Sequence, residues 1–192
     1  MLFNNAGAGF ATRIEDIRPQ QFEDHIALHL FSTVNAMRLA IPIMRKQGFG
    51  RIINTCSRGA EGPGPGGSAY AAAKAGIWAV TRTAAIECAG ADILVNCLIP
   101  GPTNSSIWGR DMPKLQPPSA TIPTARLLAT LPANSPVSGK TYWNEREYEL
   151  FVDASSVSAK VLASARKGVR PRSTEESVNA EADSQAESRS RL

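Results

Sequence analysis

The apolar residues of this chain follow a helical period first and a strand-like pattern afterwards. Between residues 20 and 47 they recur every three or four positions, which predicts an amphipathic helix with one apolar face that carries Leu30, Val34, Met37, Ile41 and Met44. The β-branched run 51–56 predicts a short strand. The nearly all-apolar run 93–99 predicts a strand buried on both faces of a parallel sheet.

Further elements complete an alternating pattern of strands and helices. Leu2 and Phe3 are typical of the end of a buried strand, and the alanine-rich segment from 69 to about 88 predicts a second helix. Residues 124–130 predict a short helix, residues 140–143 predict an edge strand, and 104–123 is predicted to be loop. This order predicts an α/β fold with a doubly wound parallel sheet.

Composition and charge narrow the classes of function. The chain has 192 residues, a net charge of +4 and no clustered basic patch, so we expect no nucleic-acid partner. Three cysteines without paired spacing predict neither disulfides nor a metal site. No signal peptide and no window approaching a membrane span is found, so a soluble cytoplasmic protein is expected. Residues 153–192 lack aromatic side chains and predict a disordered tail.

Three side chains form a candidate proton-transfer site. Tyr70 and Lys74 lie four residues apart on a predicted helix and therefore share one face. Ser57 follows the predicted strand 51–56, and the carboxyl ends of parallel strands line the ligand crevice. A lysine cation one turn away is expected to lower the pKa of the phenol, so that Tyr70 can exchange a proton with an alcohol. The serine hydroxyl would hold the substrate oxygen.

Four sequence blocks follow one another along the chain: NNAG, GRIINTCS, SAYAAAKAG and VNCLIPGPT. Together they resemble successive blocks of the classical short-chain dehydrogenase/reductase family over about residues 2–143. The resemblance implies a Rossmann-type fold, NAD or NADP as cofactor, and an oxidoreductase that interconverts an alcohol and a ketone. It implies catalytic roles for Ser57, Tyr70 and Lys74. Contacts with the cofactor are implied for the same tyrosine and lysine and for Asn5, Ala6, Gly7, Pro100, Gly101 and Thr103.

Two departures from the family pattern affect this interpretation. The family begins with a Thr-Gly-x-x-x-Gly-x-Gly turn that holds the pyrophosphate, and residue 1 of this chain corresponds to a position after that turn. We therefore expect a sheet without its N-terminal strands. Residues 1–152 are expected to form the C-terminal part of the catalytic domain. The family asparagine of the long helix is replaced by His29, which resembles the (R)-3-hydroxyacyl-CoA dehydrogenase branch. His29 is either a proton relay that holds a water near Lys74 or a structural helix histidine.

The remaining candidates have weaker support. His25 is expected to be solvated or to cap the helix, Cys56 to be a buried strand cysteine, and Trp108 either to touch substrate or to pack. The substrate is open, with a hydroxyacyl thioester or a hydroxysteroid-like alcohol suggested by His29. Family members pair through their long helices, so a homodimer or homotetramer is expected. The alternative function is a non-catalytic remnant that dimerises through the stripe Leu30, Val34, Met37 and Ile41.

Overall fold

The computed structural model describes residues 1–9 and 11–152, and the tail predicted for residues 153–192 lies outside them. Five strands form one sheet in the order β1 to β5: Leu2–Asn4, Gly50–Thr55, Ile93–Ile99, Thr141–Trp143 and Arg146–Glu147. The first four strands are parallel, and β5 pairs antiparallel with β4. The expected strands are confirmed, while β5 was not foreseen.

Helices cover both faces of this sheet. The long helical run consists of α1 (Pro19–Ile26), a π-helical turn (Ala27–Phe31) and α2 (Ser32–Gln47). It ends at Gly48, whose φ of 70° is readily adopted by glycine. Helix α3 spans Ser68–Glu87 and α4 spans Ile122–Ala129. The doubly wound α/β fold is therefore confirmed.

Alternating residues of the central strands pack on opposite layers. Ile52 joins Met37 and Met44 of α2 and Ala84 of α3 in one apolar cluster. Ile53, its neighbour in β2, packs with Leu98 and with Leu128 of α4 on the other face. This alternation places α2 and α3 on one side of the sheet and α4 on the other.

The inner face of the long helix is the predicted one, but its outer face is also apolar. Met37 and Met44 are buried, and Leu30 and Ile41 pack against the core, so the predicted stripe faces the sheet and is not available for pairing with another chain. Large apolar side chains instead point to solvent on the opposite face: Leu28, Phe31, Leu39 and Ile43. The expectation that the inner stripe supports dimerisation is wrong.

The apolar outer face also concerns the expectation that no segment of the chain could span a membrane. Within the described residues, the run Pro19–Gln47 is long and apolar enough to cross a membrane by length and composition. The expectation that no window approaches a membrane span is therefore wrong for this run. One face of it packs on the sheet, and core helices of soluble proteins share this length and composition, so the run carries no argument for a membrane.

The amino end of β2 is held by a buried arginine. The guanidinium of Arg51 donates hydrogen bonds to the carbonyls of Leu131 (3.0 Å), Pro132 (2.8 Å) and Asp92 (3.0 Å). It also lies 3.0 Å from the carboxylate of Asp92 and stacks on the ring of Phe49. Arg51 therefore ties the start of β2 to the segment after α4.

Candidate active site

The candidate site lies at the opposite end of the sheet, beyond the carboxyl ends of β1, β2 and β3. Ser57 follows β2 by two residues and begins a 3-10 turn, Arg58–Ala60. Its extended backbone, with φ −158° and ψ 149°, presents the hydroxyl to the turn, where the N–H of Gly59 donates to Oγ at 3.0 Å. Because that bond engages a lone pair, the serine proton is left for another acceptor.

Tyr70 stands in the first turn of α3 and meets Ser57 there. Burial raises the pKa of Tyr70, and the nearby hydroxyl of Ser57 lowers it by less, so the net pKa of the phenol is raised. The expectation that the lysine cation lowers this pKa is not met in the described structure. The phenol of Tyr70 is thus in its protonated form at neutral pH.

Lys74 lies one turn further along α3 and is buried. Its ammonium donates a hydrogen bond to the carbonyl of Thr55 at 2.8 Å and lies 5.6 Å from the centre of the Tyr70 ring. Burial lowers the pKa of Lys74 to about 8. At neutral pH the side chain is still mostly a cation, in a place where losing its proton costs little.

His29 sits in the π-helical turn, only 1% exposed, with its ring edge-on to Tyr70 at 5.5 Å between centroids. Its Nε2 lies 3.0 Å from the carbonyl oxygen of Ala8 and 3.3 Å from the N–H of the same residue, so one tautomer donates to the carbonyl and the other accepts from the N–H. Its Nδ1 has no hydrogen-bond partner in the part of the chain that the structure describes. Burial, and then the charge of Lys74, lower the pKa of His29 to about 4.

His25 was expected to be solvated or to cap the helix, and the structure contradicts this. Its side chain is buried in the last turn of α1, and its ring lies 4.7 Å from that of His29 and 6.2 Å from that of Tyr70. Burial is the main cause that lowers its pKa, followed by the charge of Lys74. Two neutral imidazoles therefore back the phenol, because histidines four residues apart share one helix face.

The residues expected to meet a cofactor form two turns beside these groups. Asn5, Ala6 and Gly7 are exposed after β1, and the Asn5 side chain accepts a hydrogen bond from Thr55 at 2.9 Å. Gly7 lies so close to His29 that an added Cβ would be 2.5 Å from its Cε1. The turn therefore brings bare backbone to the strand ends, next to the imidazole of His29.

The second turn follows β3 and is held by a side chain that the sequence analysis did not single out. Gln116 donates to the carbonyl of Pro100 at 2.7 Å, and residue 116 bridges to Thr103. Gly101 has a φ of 76°, and a Cβ there would lie 3.1 Å from Nε1 of Trp143. The two turns lie at the ends of the strands on either side of β2, and both offer backbone at the carboxyl edge of the sheet, which fits the nicotinamide end of a dinucleotide.

The other candidates are placed as follows. Cys56 is buried, as expected, and its thiol lies 3.3 Å from the carbonyl of Lys74. Trp108 is half exposed and donates from Nε1 to the carbonyl of Thr103 at 2.7 Å. No group of three or more potential metal ligands occurs among the described residues.

Comparisons with known proteins agree with this geometry. The family model for short chain dehydrogenases matches residues 1–115. The chain belongs to the short-chain dehydrogenase family. It is 45% identical to D-beta-hydroxybutyrate dehydrogenase of Rhizobium meliloti (strain 1021) over 101 residues, which cover 53% of this chain and 39% of that protein. It is 32% identical to 3alpha-hydroxysteroid dehydrogenase of Mediterraneibacter gnavus over 129 residues, covering 66% and 51%.

A solved structure shows the same likeness. A protein of Burkholderia xenovorans described as a short-chain dehydrogenase/reductase superposes with a TM-score of 0.64 at 26% identity, over 73% of this chain and 60% of that one. The chain thus spans between about two fifths and three fifths of these short-chain dehydrogenases. These comparisons do not favour the alternative of a non-catalytic remnant.

Several residues around the short-chain dehydrogenase site were missed by sequence reasoning. Thr55 supplies the carbonyl that holds Lys74, Gln116 fixes the second turn, and Gly59 bonds to Ser57. The only sequence signal for these residues is proximity to a candidate, since backbone groups and a lone glutamine carry no motif. His25 had a signal in its spacing of four from His29.

Proposed function

We propose that the protein containing this chain is an NAD- or NADP-dependent oxidoreductase that interconverts an alcohol and a ketone. The observation that carries the proposal is the convergence of Ser57 and Tyr70 around Gly59, with Lys74 one helical turn away, at the carboxyl ends of parallel strands. A phenol and a hydroxyl that converge beside bare backbone suit proton exchange with a substrate oxygen.

The roles of the side chains follow from their bonds. A bound nicotinamide would supply the hydride acceptor or donor, held by Asn5, Ala6 and Gly7 on one side and by Pro100, Gly101 and Thr103 on the other. Tyr70 removes the proton of the alcohol in oxidation and returns it to the carbonyl oxygen in reduction. Ser57 donates its proton in a hydrogen bond to the same oxygen, because Gly59 already occupies one lone pair. Lys74 supports the phenolate and contacts the cofactor.

The raised pKa of Tyr70 makes the two directions respond differently to pH. Reduction needs the protonated phenol, which burial favours at neutral pH. Oxidation needs the phenolate, so its rate should rise as pH increases above neutrality. Opposite pH trends of the two directions are therefore expected.

His29 and Lys74 form the remaining part of the proposed machinery. The imidazole has one nitrogen bonded at Ala8 and one buried nitrogen, Nδ1, free of partners in the described structure. Such a ring can take up a proton at one nitrogen while it releases one at the other. We assign it the relay of protons between Lys74 and solvent, with a water as the link.

Replacement of Tyr70 by Phe tests the proposed function directly. The protein, expressed with whatever natural sequence adjoins the 192 residues, is assayed by nicotinamide absorbance with NAD and NADP in turn. We expect Tyr70→Phe to lose about 10²- to 10⁴-fold in kcat, the usual worth of a positioned acid or base. Tyr142→Phe, in β4, is the matched control and should keep its rate. Equal rates for both variants would refute the assignment.

The hydroxysteroid part of the substrate proposal rests on one relative and on His29, and the hydroxyacyl-thioester part rests on His29 alone. The two relatives act, by their names, on a hydroxybutyrate and on a hydroxysteroid. We propose a hydroxyacyl thioester or a hydroxysteroid-like alcohol for this protein. Measuring kcat/KM for one member of each class decides between them, and activity with neither, but with another ketone, would contradict both.

We further propose that the protein is a cytoplasmic homodimer or homotetramer. Its three cysteines are free and buried, as in a reducing compartment. The outer apolar face formed by Leu28, Phe31, Leu39 and Ile43 supports self-association, since exposed apolar patches mark interfaces. Light scattering should show that Leu39→Glu lowers the molar mass, while Ile14→Glu, at a still more exposed loop position, does not. A monomer before any substitution would contradict the proposal.

A further inference from the structure

Gly59 occupies the space between the two hydroxyl-bearing side chains of the site. Its N–H bonds to Ser57 at 3.0 Å, and a Cβ added to it would lie 3.3 Å from Oγ of Ser57 and 3.3 Å from Cε1 of Tyr70. Both distances are shorter than an ordinary van der Waals contact, so either neighbour would have to shift by a few tenths of an ångström.

The backbone itself does not require glycine at this position. The φ of Gly59 lies outside the left-handed region, in contrast to those of Gly66 and Gly101. An alanine can therefore adopt this conformation, and what it would disturb is the contact with the two catalytic candidates. The missing side chain serves the site and not the turn.

We propose that Gly59 is a positioning residue that sets the geometry of the Ser57–Tyr70 pair, through its N–H and through the absence of a side chain. The inference rests on the proposed function of Tyr70 as the acid/base group. The N–H fixes the rotamer of Ser57 and directs its proton away from the turn. The bare Cα lets the tyrosine ring approach, so that the serine proton reaches the phenol or the substrate oxygen.

A consequence for Tyr70 follows from this arrangement. Ser57 and the ring of Tyr70 both come within 3.3 Å of the position that a Cβ at residue 59 would take, and the serine hydroxyl lowers the pKa of the buried phenol. If a methyl group at residue 59 pushes Ser57 or the ring away, this influence weakens and the phenol becomes harder to ionise. A residue with only a structural role in the loop would leave this ionisation unchanged.

Gly59→Ala and Gly64→Ala form a matched pair in the same loop. A Cβ at Gly64 meets nothing within 4 Å, and its φ is also outside the left-handed region. We expect Gly59→Ala to lower kcat about tenfold with little change in KM, and to move the pH limb of oxidation up by about one unit. Gly64→Ala should match the parent in both. Identical profiles for the two variants would overturn the proposal.

A measurement without turnover separates this proposal from the proposed function. Ultraviolet titration, with Tyr70→Phe as the reference, reports the ionisation of Tyr70 itself. A higher pKa of Tyr70 in Gly59→Ala than in Gly64→Ala supports the positioning role even if no substrate is turned over. An unchanged pKa refutes it, while loss of activity in Tyr70→Phe still stands as the test of function.

If Gly59→Ala does not fold, the parent and Ser57→Ala answer the question. Removing the serine hydroxyl takes away the acceptor of the Gly59 N–H, so hydrogen exchange of that amide should speed up several-fold, while exchange of the Gly64 amide stays constant. Unchanged exchange at Gly59 would show that its bond to Ser57 does not hold the turn, and would overturn the proposal.

Discussion

A buried cation lies at each end of strand β2, and the two cations differ in the partners that compensate their charge. At the amino end, Arg51 is 1% exposed and is bonded to several backbone carbonyls and to the carboxylate of Asp92. At the carboxyl end, Lys74 is 4% exposed, and the described residues give its ammonium a hydrogen bond to the carbonyl of Thr55 and no carboxylate partner. The two groups are similarly buried but differ in compensation.

This difference distinguishes a cation that stabilises the fold from one that can take part in proton transfer. A guanidinium whose donors are bonded and whose charge is paired stays ionised and holds segments together. A buried ammonium without a carboxylate has its pKa lowered, here to about 8, and can take part in proton transfer. Burial alone therefore does not mark a functional residue, whereas burial with incomplete compensation does.

Substitution of Arg51 by Met should produce the largest loss of stability. It leaves the carboxylate of Asp92 and the carbonyls of Leu131 and Pro132 without their donor, and breaking a buried pair costs about 3–5 kcal/mol. Urea unfolding measures the loss. The remaining folded protein should keep its kcat, because the residue lies at the far end of β2. A loss under about 1 kcal/mol would break the comparison.

The same substitution at Lys74 should have the opposite profile. Lys74→Met removes a poorly compensated cation, so the free energy of unfolding should stay equal or rise. The rate should fall by about 10²-fold or more, because the phenolate loses its nearby charge. Arg51→Met measured in parallel is the control. Destabilisation of Lys74→Met as large as that of Arg51→Met would show that both cations are structural.

The site was more predictable than its surroundings for a physical reason. Ser57, Tyr70 and Lys74 are linked by helix periodicity and by the rule that ligands meet at strand ends, so their convergence follows from local pattern. The burial of His25 depends on how α1 packs against α3, which spacing alone does not give. Hairpin strand β5 was missed because it depends on left-handed conformations at Asn144 and Glu145 without a glycine.

The pKa of Tyr70 shows where the pattern fails. Spacing predicts that a lysine cation stands near the phenol, and it does. Spacing does not reveal how deeply the pair is buried, and desolvation reverses the expected direction of the shift. Likewise, periodicity identified the inner stripe of the long helix, but only the packing showed that this stripe is covered by the sheet.

The carboxyl end of β2, where the candidate site lies, should also be its acid-sensitive end. His29 has a pKa of about 4 in the folded chain, against about 6.5 when unfolded. Below pH 6.5 the unfolded chain takes up the proton while the folded chain does not. The free energy of unfolding therefore decreases as the pH is lowered from 6.5 to the folded pKa. We expect a loss of about 2 kcal/mol between pH 7 and pH 5. The free energy of unfolding, measured with urea at pH 7 and pH 5, should decrease by about 2 kcal/mol less in His29→Gln than in the parent. An equal decrease in both proteins would contradict this prediction.

The smallest expected effect is in the pH–rate profile. This profile distinguishes a proton-relay role of His29 from a purely structural one. His29→Asn restores the residue commoner in the family and keeps a polar amide in the site, so we expect a mild change. His29→Leu removes every polar contact, so proton-linked turnover should slow about three- to tenfold and its pH limb should shift. The stability of both variants at pH 7 serves as the control, because a packing defect lowers stability without moving the pH limb. If the Asn and Leu variants give equal, unshifted profiles, His29 is a structural residue that only fills the space beneath Gly7, and the chemistry at this end of β2 belongs to Ser57, Tyr70 and Lys74.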